Sequence, residues 1–145
     1  MPKPVTVARV LLGLQLIVFG ADWFYHFLPF AGESTPEGEA FLTALVDTGY
    51  LFTLIKSIEV IAGVLLLTGF RPQLGAAFAA PIALNIGLYH LLLDPNGALF
   101  AAPVVVLNAF LLWAYRDAFA PLFAARPAEA PAERVGAASV VSAIR

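Results

Sequence analysis

The chain has no cysteine, and only 12% of its residues are charged. The first absence excludes disulfides, thiol catalysis, iron–sulfur clusters and cysteine-ligated zinc, and it leaves the redox compartment unread. The second excludes a water-soluble globule, because such chains carry about a quarter charged residues to coat their surface. Disorder goes with it, since disordered chains are rich in charge and poor in apolar residues. A net charge of −2 supplies no basic surface for nucleic acid. No dinucleotide-binding glycine fingerprint, phosphate-cradling loop or nucleophile elbow occurs along the chain. What is present is apolar: 61% of the 145 residues are hydrophobic, and the mean hydropathy is +0.87. That balance reads as a small integral membrane protein in a single domain.

A hydrocarbon layer about 30 Å thick needs roughly 20 mostly apolar residues in a helix. Four stretches meet this, at about Val5–Phe27, Tyr50–Gly69, Gln73–Leu93 and Ala98–Tyr115. They are continuous rather than alternating in polarity, which excludes barrel strands. The expected fold is therefore all-α, a four-helix transmembrane bundle over residues 1–117, with residues 118–145 as a flexible cytoplasmic tail rich in Ala and Pro. Gly69 and Pro72 punctuate the second connection, and Asp94-Pro95-Asn96-Gly97 reads as a tight turn before the last span. Pro81 and Pro103 lie inside spans, where each frees a carbonyl and is expected to kink its helix.

Basic residues are also missing where orientation is decided. The loop from Leu28 to Gly49 has Glu33, Glu37, Glu39 and Asp47 but no Lys or Arg, and the loop at Asp94–Gly97 has none either. Lys3, Arg9, Arg71, Arg116, Arg126 and Arg134 all fall on the other side. The positive-inside rule then predicts a multi-pass protein of the cell (inner) membrane with both termini in the cytoplasm. Lys3 and Arg9 before an apolar run imitate a signal peptide. Bulky Trp23, Phe24 and Tyr25 follow instead of a small-x-small cleavage site, so span one is read as retained.

In the first loop, Thr35 can cap a helix with Pro36 at its first position and Glu37 and Glu39 near its positive end. Phe41, Leu42, Leu45 and Val46 share one face of that helix, which is expected to lie on the outer membrane surface. Gly75, Ala79, Ala83 and Gly87 repeat every four residues along span three. Intramolecular packing explains that stripe more simply than a dimer seam, and a homo-oligomer is left open.

Polar side chains inside the bilayer are the candidates for function. Span one holds Gln15, Asp22 and His26; span two Lys56 and Glu59; span three Asn85 and His90; span four Asn108. At about 1.5 Å per residue, Lys56 and Glu59 lie roughly 9–14 Å below the outer boundary, Asn85 about 12 Å and Asn108 about 15 Å. Gln15 falls near mid-membrane, and the inner half reads as almost purely apolar. Asp22, His26, Lys56, Glu59, Asn85, His90 and Asn108 are thus the candidate lining of an outward-facing polar pocket. Asp22 with His26, and His90 with Asp94, repeat one helical turn apart. Two such pairs suit a metal, but without a tight ligand motif the better reading is no metal: each aspartate orients its histidine and fixes a helix end. Lys56 and Glu59 share a face, either as a structural ion pair or as a pair that binds a quinone head-group or passes protons. Trp23, Phe24, Tyr25, Phe27 and Phe30 read as an interfacial aromatic belt.

These segments resemble the DoxX-like family of small membrane proteins. The likeness is carried by ARVLLGLQLIVFGADWFYHFLP, TGYLFTLIKSIEVIAGVLLLTGF, APIALNIGLYHLLLDP and WAYRDAF, and it covers roughly Ala8 to Phe119. Its most specific elements are Arg9 with Gly13, and Glu59 with Gly63 and Gly69. The resemblance implies a four-helix bundle grouped with redox accessory proteins, some of them subunits of thiosulfate:quinone oxidoreductase and others acting beside thiol–disulfide systems. The expected role is an accessory or quinone-associated subunit beside a redox protein partner, because a chain without cysteine cannot perform thiol chemistry itself. A non-catalytic membrane scaffold is the alternative, and a small-molecule transporter fits least, for want of broken repeats or a continuous polar path.

Overall fold

A computed structural model describes residues 2–29 and 34–123. Every regular element among the described residues is helical: α1 (Lys3–Tyr25), α2 (Pro36–Asp47), α3 (Leu51–Thr68), α4 (Pro72–Leu92), α5 (Ala98–Ala114) and the short α6 (Arg116–Phe119). Single 3-10 turns at Pro95–Gly97 and Ala120–Phe123 complete the order. Four segments are long and apolar enough to cross a membrane, Lys3–Tyr25, Leu51–Thr68, Pro72–Leu92 and Pro95–Ala114. The molecule is thus a four-helix, multi-pass membrane protein.

The boundaries follow local chemistry. Thr35 caps α2 by accepting from the Gly38 N–H at 3.1 Å, with Pro36 at the first position. α3 stops at Gly69, whose φ of +75° places it in the left-handed region that ends helices. α4 and α5 run on unbroken through Pro81 and Pro103. Helical turns continue to Phe123, past the boundary expected at Ala118. The rest of the anticipated tail, together with Phe30 and Glu33, lies outside the described residues.

The four long helices form a ring in which α1 packs on α3, α3 on α4, α4 on α5 and α5 back on α1. α1 against α3 is the most intimate of these. A Cβ placed on Gly63 would sit 2.7 Å from Ile17 Cγ1 and 2.8 Å from the Gly13 main-chain oxygen. Only a bare backbone fits that crossing. In lipid no hydrophobic force drives helix against helix, so close backbone approach and dispersion must supply the association. Leu12, Leu66 and Leu111 are completely buried, and with Ala76 and Ala79 they fill the end of the bundle nearest the termini. The small-residue stripe of α4 is spent inside the molecule, Gly75 against α3 and Gly87 against α5.

Candidate functional site

Toward the α2 end the ring opens around a cavity of about 720 Å³. Its floor is the Leu16–Glu59–Val104 level, its walls come from α1, α3, α4 and α5, and Phe41, Leu42 and Leu45 of α2 form its roof. The apolar face of α2 predicted to lie on lipid is therefore turned onto this cavity, while Val46 stays exposed. Most of the lining is aliphatic or aromatic. A few polar groups converge on it: Gln15, Lys56, Glu59, Asn85, Tyr89 and His90, with Ser34 and Asp94 at the rim.

Lys56 and Glu59 lie one turn apart on α3 and meet, as their spacing predicts. Lys56 Nζ donates to Glu59 Oε1 at 3.1 Å and to Oε2 at 3.0 Å. Glu59 is 3% exposed, whereas the Lys56 side chain keeps 18%. A buried carboxylate left alone would be costly, so this pair must stay neutralised as a unit. An ammonium has three protons, and two are used here, so one remains for another acceptor. The ammonium also stands 5.4 Å from the centre of the Phe52 ring.

Across the cavity, Gln15 Nε2 donates to the Phe100 main-chain oxygen at 2.7 Å, tying α1 to α5. Asn85 faces the same space, and its amide has no partner among the described residues. His90 Nδ1 donates to the main-chain oxygen of Asp94 at 2.7 Å, and its ring packs against Gly97. The Asp94 carboxylate, expected to orient that ring, is engaged elsewhere. Ser34 Oγ donates to Asp94 Oδ2 at 2.9 Å and Tyr89 Oη to the same oxygen at 3.3 Å. Thr35 Oγ1 donates to the Leu93 main-chain oxygen, and Phe41 rests 5.7 Å from the Tyr89 ring. The start of α2 is thereby latched onto the end of α4. Partial burial pushes the Asp94 carboxyl up, but hydrogen bonds from Ser34, the Asn96 N–H and Tyr89 outweigh it and hold the group below its ordinary value.

Three candidates do not join the cavity. Asp22 Oδ1 accepts from the Leu28 N–H at 2.8 Å, and the exposed His26 closes α1 in a left-handed conformation, so this carboxylate does not orient this ring. Asn108 lies on the far side of the floor, buried to 2%, where its Nδ2 donates to the Ala76 main-chain oxygen at 3.0 Å. It binds α5 to the terminus end of α4, one residue before the Ala77 carbonyl that Pro81 leaves without its usual N–H partner. Among the described residues no three His, Asp or Glu groups are arranged to hold a metal ion. Trp23 Nε1 donates to Thr53 Oγ1 at 3.2 Å, stapling α1 to α3 rather than lining the cavity.

No family model, curated protein or solved structure matches the chain.

Several participants were not visible beforehand. Ser34, Tyr89 and the α2 roof belong to the site only because α2 folds back on α4, and no spacing rule announces that. Arg9 is the larger surprise. Its Nη1 donates to the Leu66 and Leu67 carbonyls at 2.6 and 3.3 Å, capping the C-terminus of α3, while its Nε is buried without a partner among the described residues. Burial pushes the nearby Tyr115 phenol up, and the Arg9 cation opposes that shift. The half of the bundle expected to be almost purely apolar thus holds both Arg9 and Asn108. The hint was position, since Arg9 stands within the first apolar span rather than ahead of it.

Proposed function

We propose that this chain is a DoxX-like, quinone-binding accessory subunit of a membrane redox system, seated in the inner membrane with both termini in the cytoplasm. The observation that carries the reading is the cavity: about 720 Å³ of mostly apolar space with the Lys56–Glu59 pair at its floor. Such a volume lies in the range of small-molecule sites, which pair apolar walls with a few placed polar groups. The polar groups suit a carbonyl-bearing ring. Lys56 keeps a spare proton, Asn85 keeps an amide, and both donate to the kind of oxygen a quinone presents. Glu59, saturated by Lys56, holds the ammonium in place. Any thiol-derived electrons must come from a partner, because the chain has no cysteine.

The test is to purify the protein from native membranes, extract it with organic solvent and look for quinone. Thermal melting of protein depleted of native ligand is then followed with a decyl-tailed benzoquinone. Bound quinone and a rise in Tm are expected. Lys56→Met combined with Glu59→Gln removes the charge pair without stranding either partner. It should weaken binding by about tenfold or more, as for a lost hydrogen bond to a charged donor. Absence of both extracted quinone and a Tm shift overturns the reading in favour of a structural clamp within a scaffold protein.

A further inference from the structure

We infer that the quinone reaches this cavity sideways from the bilayer, through the seam between α3 and α4 beneath α2, and binds with its ring toward Lys56 and its tail in that seam. The inference rests on the quinone reading and adds a route and an orientation to it. The other helix seams around the cavity are closely packed or tied among the described residues. Between α1 and α3, a Cβ on Gly20 would lie 2.9 Å from Val60 Cγ2 and 3.2 Å from the Lys56 main-chain oxygen, so nothing passes. Between α4 and α5, Val105 Cγ2 stands 3.1 Å from the same position on Gly87. α1 and α5 are stitched by the Gln15–Phe100 hydrogen bond. The roof is latched by Ser34 to Asp94 and by Thr35 to Leu93.

The α3–α4 seam differs along its length. At the terminus end it is closed, with a Cβ on Gly75 only 2.9 Å from the Ala62 main-chain oxygen. Farther along, the cavity lining from these same two helices is open to the surroundings: Leu54 is 49% exposed, and Pro81 and Asn85 are exposed as well. A residue that both lines a cavity and faces the surroundings marks a mouth; among the described residues three such stand on this seam, against Phe100 alone on the α1–α5 side, where the Gln15–Phe100 hydrogen bond ties the helices. This mouth lies within two apolar spans, so it faces hydrocarbon and admits molecules dissolved there. The unpartnered amide of Asn85 sits in it, where an unsatisfied polar group is costly and a passing carbonyl oxygen would satisfy it. Leu54 and Pro81 offer only apolar contact, which suits a tail and not a second polar head.

The native chain has no cysteine, so a single introduced thiol reports one place. Leu54→Cys and Phe100→Cys variants are reconstituted in nanodiscs, and each is labelled with a long-chain alkyl maleimide dissolved in the lipid. Phe100 is 55% exposed and marks the competing α1–α5 side. The probe ligand is the decyl-tailed benzoquinone at about four times its Kd, which leaves about a fifth of the sites open. Labelling of the Leu54→Cys variant should slow about fivefold, and that of the Phe100→Cys variant should change less than twofold. Protection at position 100 instead, or binding that protects neither position, overturns the route while leaving the quinone reading intact. Absence of any Tm shift with the same probe overturns both.

Discussion

Toward the termini, α1, α3, α4 and α5 pack closely: Leu12, Leu66 and Leu111 are fully buried, and Gly63 presses its backbone on Ile17 and Gly13. Toward α2 the same four helices part around about 720 Å³, and a fifth helix is needed to close them over. The polar groups follow the same division. Near the termini, Arg9 and Asn108 are turned onto main-chain carbonyls, Leu66 and Ala76 among them, and so hold helix to helix. Near α2, Lys56 and Asn85 retain donors that no described residue uses. The packed end spends most of its polarity on assembly, with the Arg9 Nε left over inside the protein, whereas the donors left over at the other end face a cavity. In lipid, where unsatisfied donors are costly, reserve of that kind is a mark of function.

The comparison breaks most sharply at the α1–α3 crossing. Gly63→Val must push α1 away, because the added carbons meet the main chain of Gly13 and Ile17 as well as the Ile17 side chain, and the main chain cannot turn aside. A loss above about 3 kcal/mol is expected, seen as a collapse of folded yield and of reversible unfolding in detergent or bilayer. A matched pair of alanines then probes the two ends with one chemistry. Ala79 is buried in the packed end, so Ala79→Leu should lose about 1–3 kcal/mol. Ala101 borders the cavity, so Ala101→Leu should stay within about 0.5 kcal/mol of the parent while blocking the decyl-tailed quinone. Equal losses at the two sites would erase the distinction.

The smallest effect concerns the latch. The Asp94 carboxyl has a folded pKa below its ordinary value of 3.8, so its contribution is complete above that value and disappears as pH falls through the lower folded one. Hydrogen exchange of the α2 amides should therefore stay slow near pH 4 and quicken only in more acid solution. Asp94→Asn should remove that acid step and quicken exchange a few-fold at neutral pH. The packed end should be indifferent to both changes.

Features decided by local spacing could be read from the sequence at both ends. Span positions, the Thr35–Pro36 start of α2, the Gly69 stop and the Lys56–Glu59 contact all depend on neighbours within a turn or two, where helix geometry is decisive. The hollow end was legible only in part. Lys56, Glu59, Asn85 and His90 were placed in a pocket by depth along each span. Asp22, His26 and Asn108 were grouped with them because depth alone does not say which way a side chain faces around the helix axis. What the apolar face of α2 covers was not legible for a similar reason. An apolar face looks the same from the sequence whether lipid or a cavity lies beneath it, and only the contacts of Ser34 and Thr35 with α4 decide between them.

Arg9 carries a consequence for how the chain is made. It stands six residues after Lys3, roughly 9 Å along α1 by helical rise. The carbonyls that receive it, Leu66 and Leu67, belong to the end of α3 and are synthesised much later. An α1 that enters the membrane first therefore carries a guanidinium whose acceptors do not yet exist there. Those two hydrogen bonds can form only once α3 is present, so α1 without α3 would leave this guanidinium without the carbonyls that receive it in the folded chain.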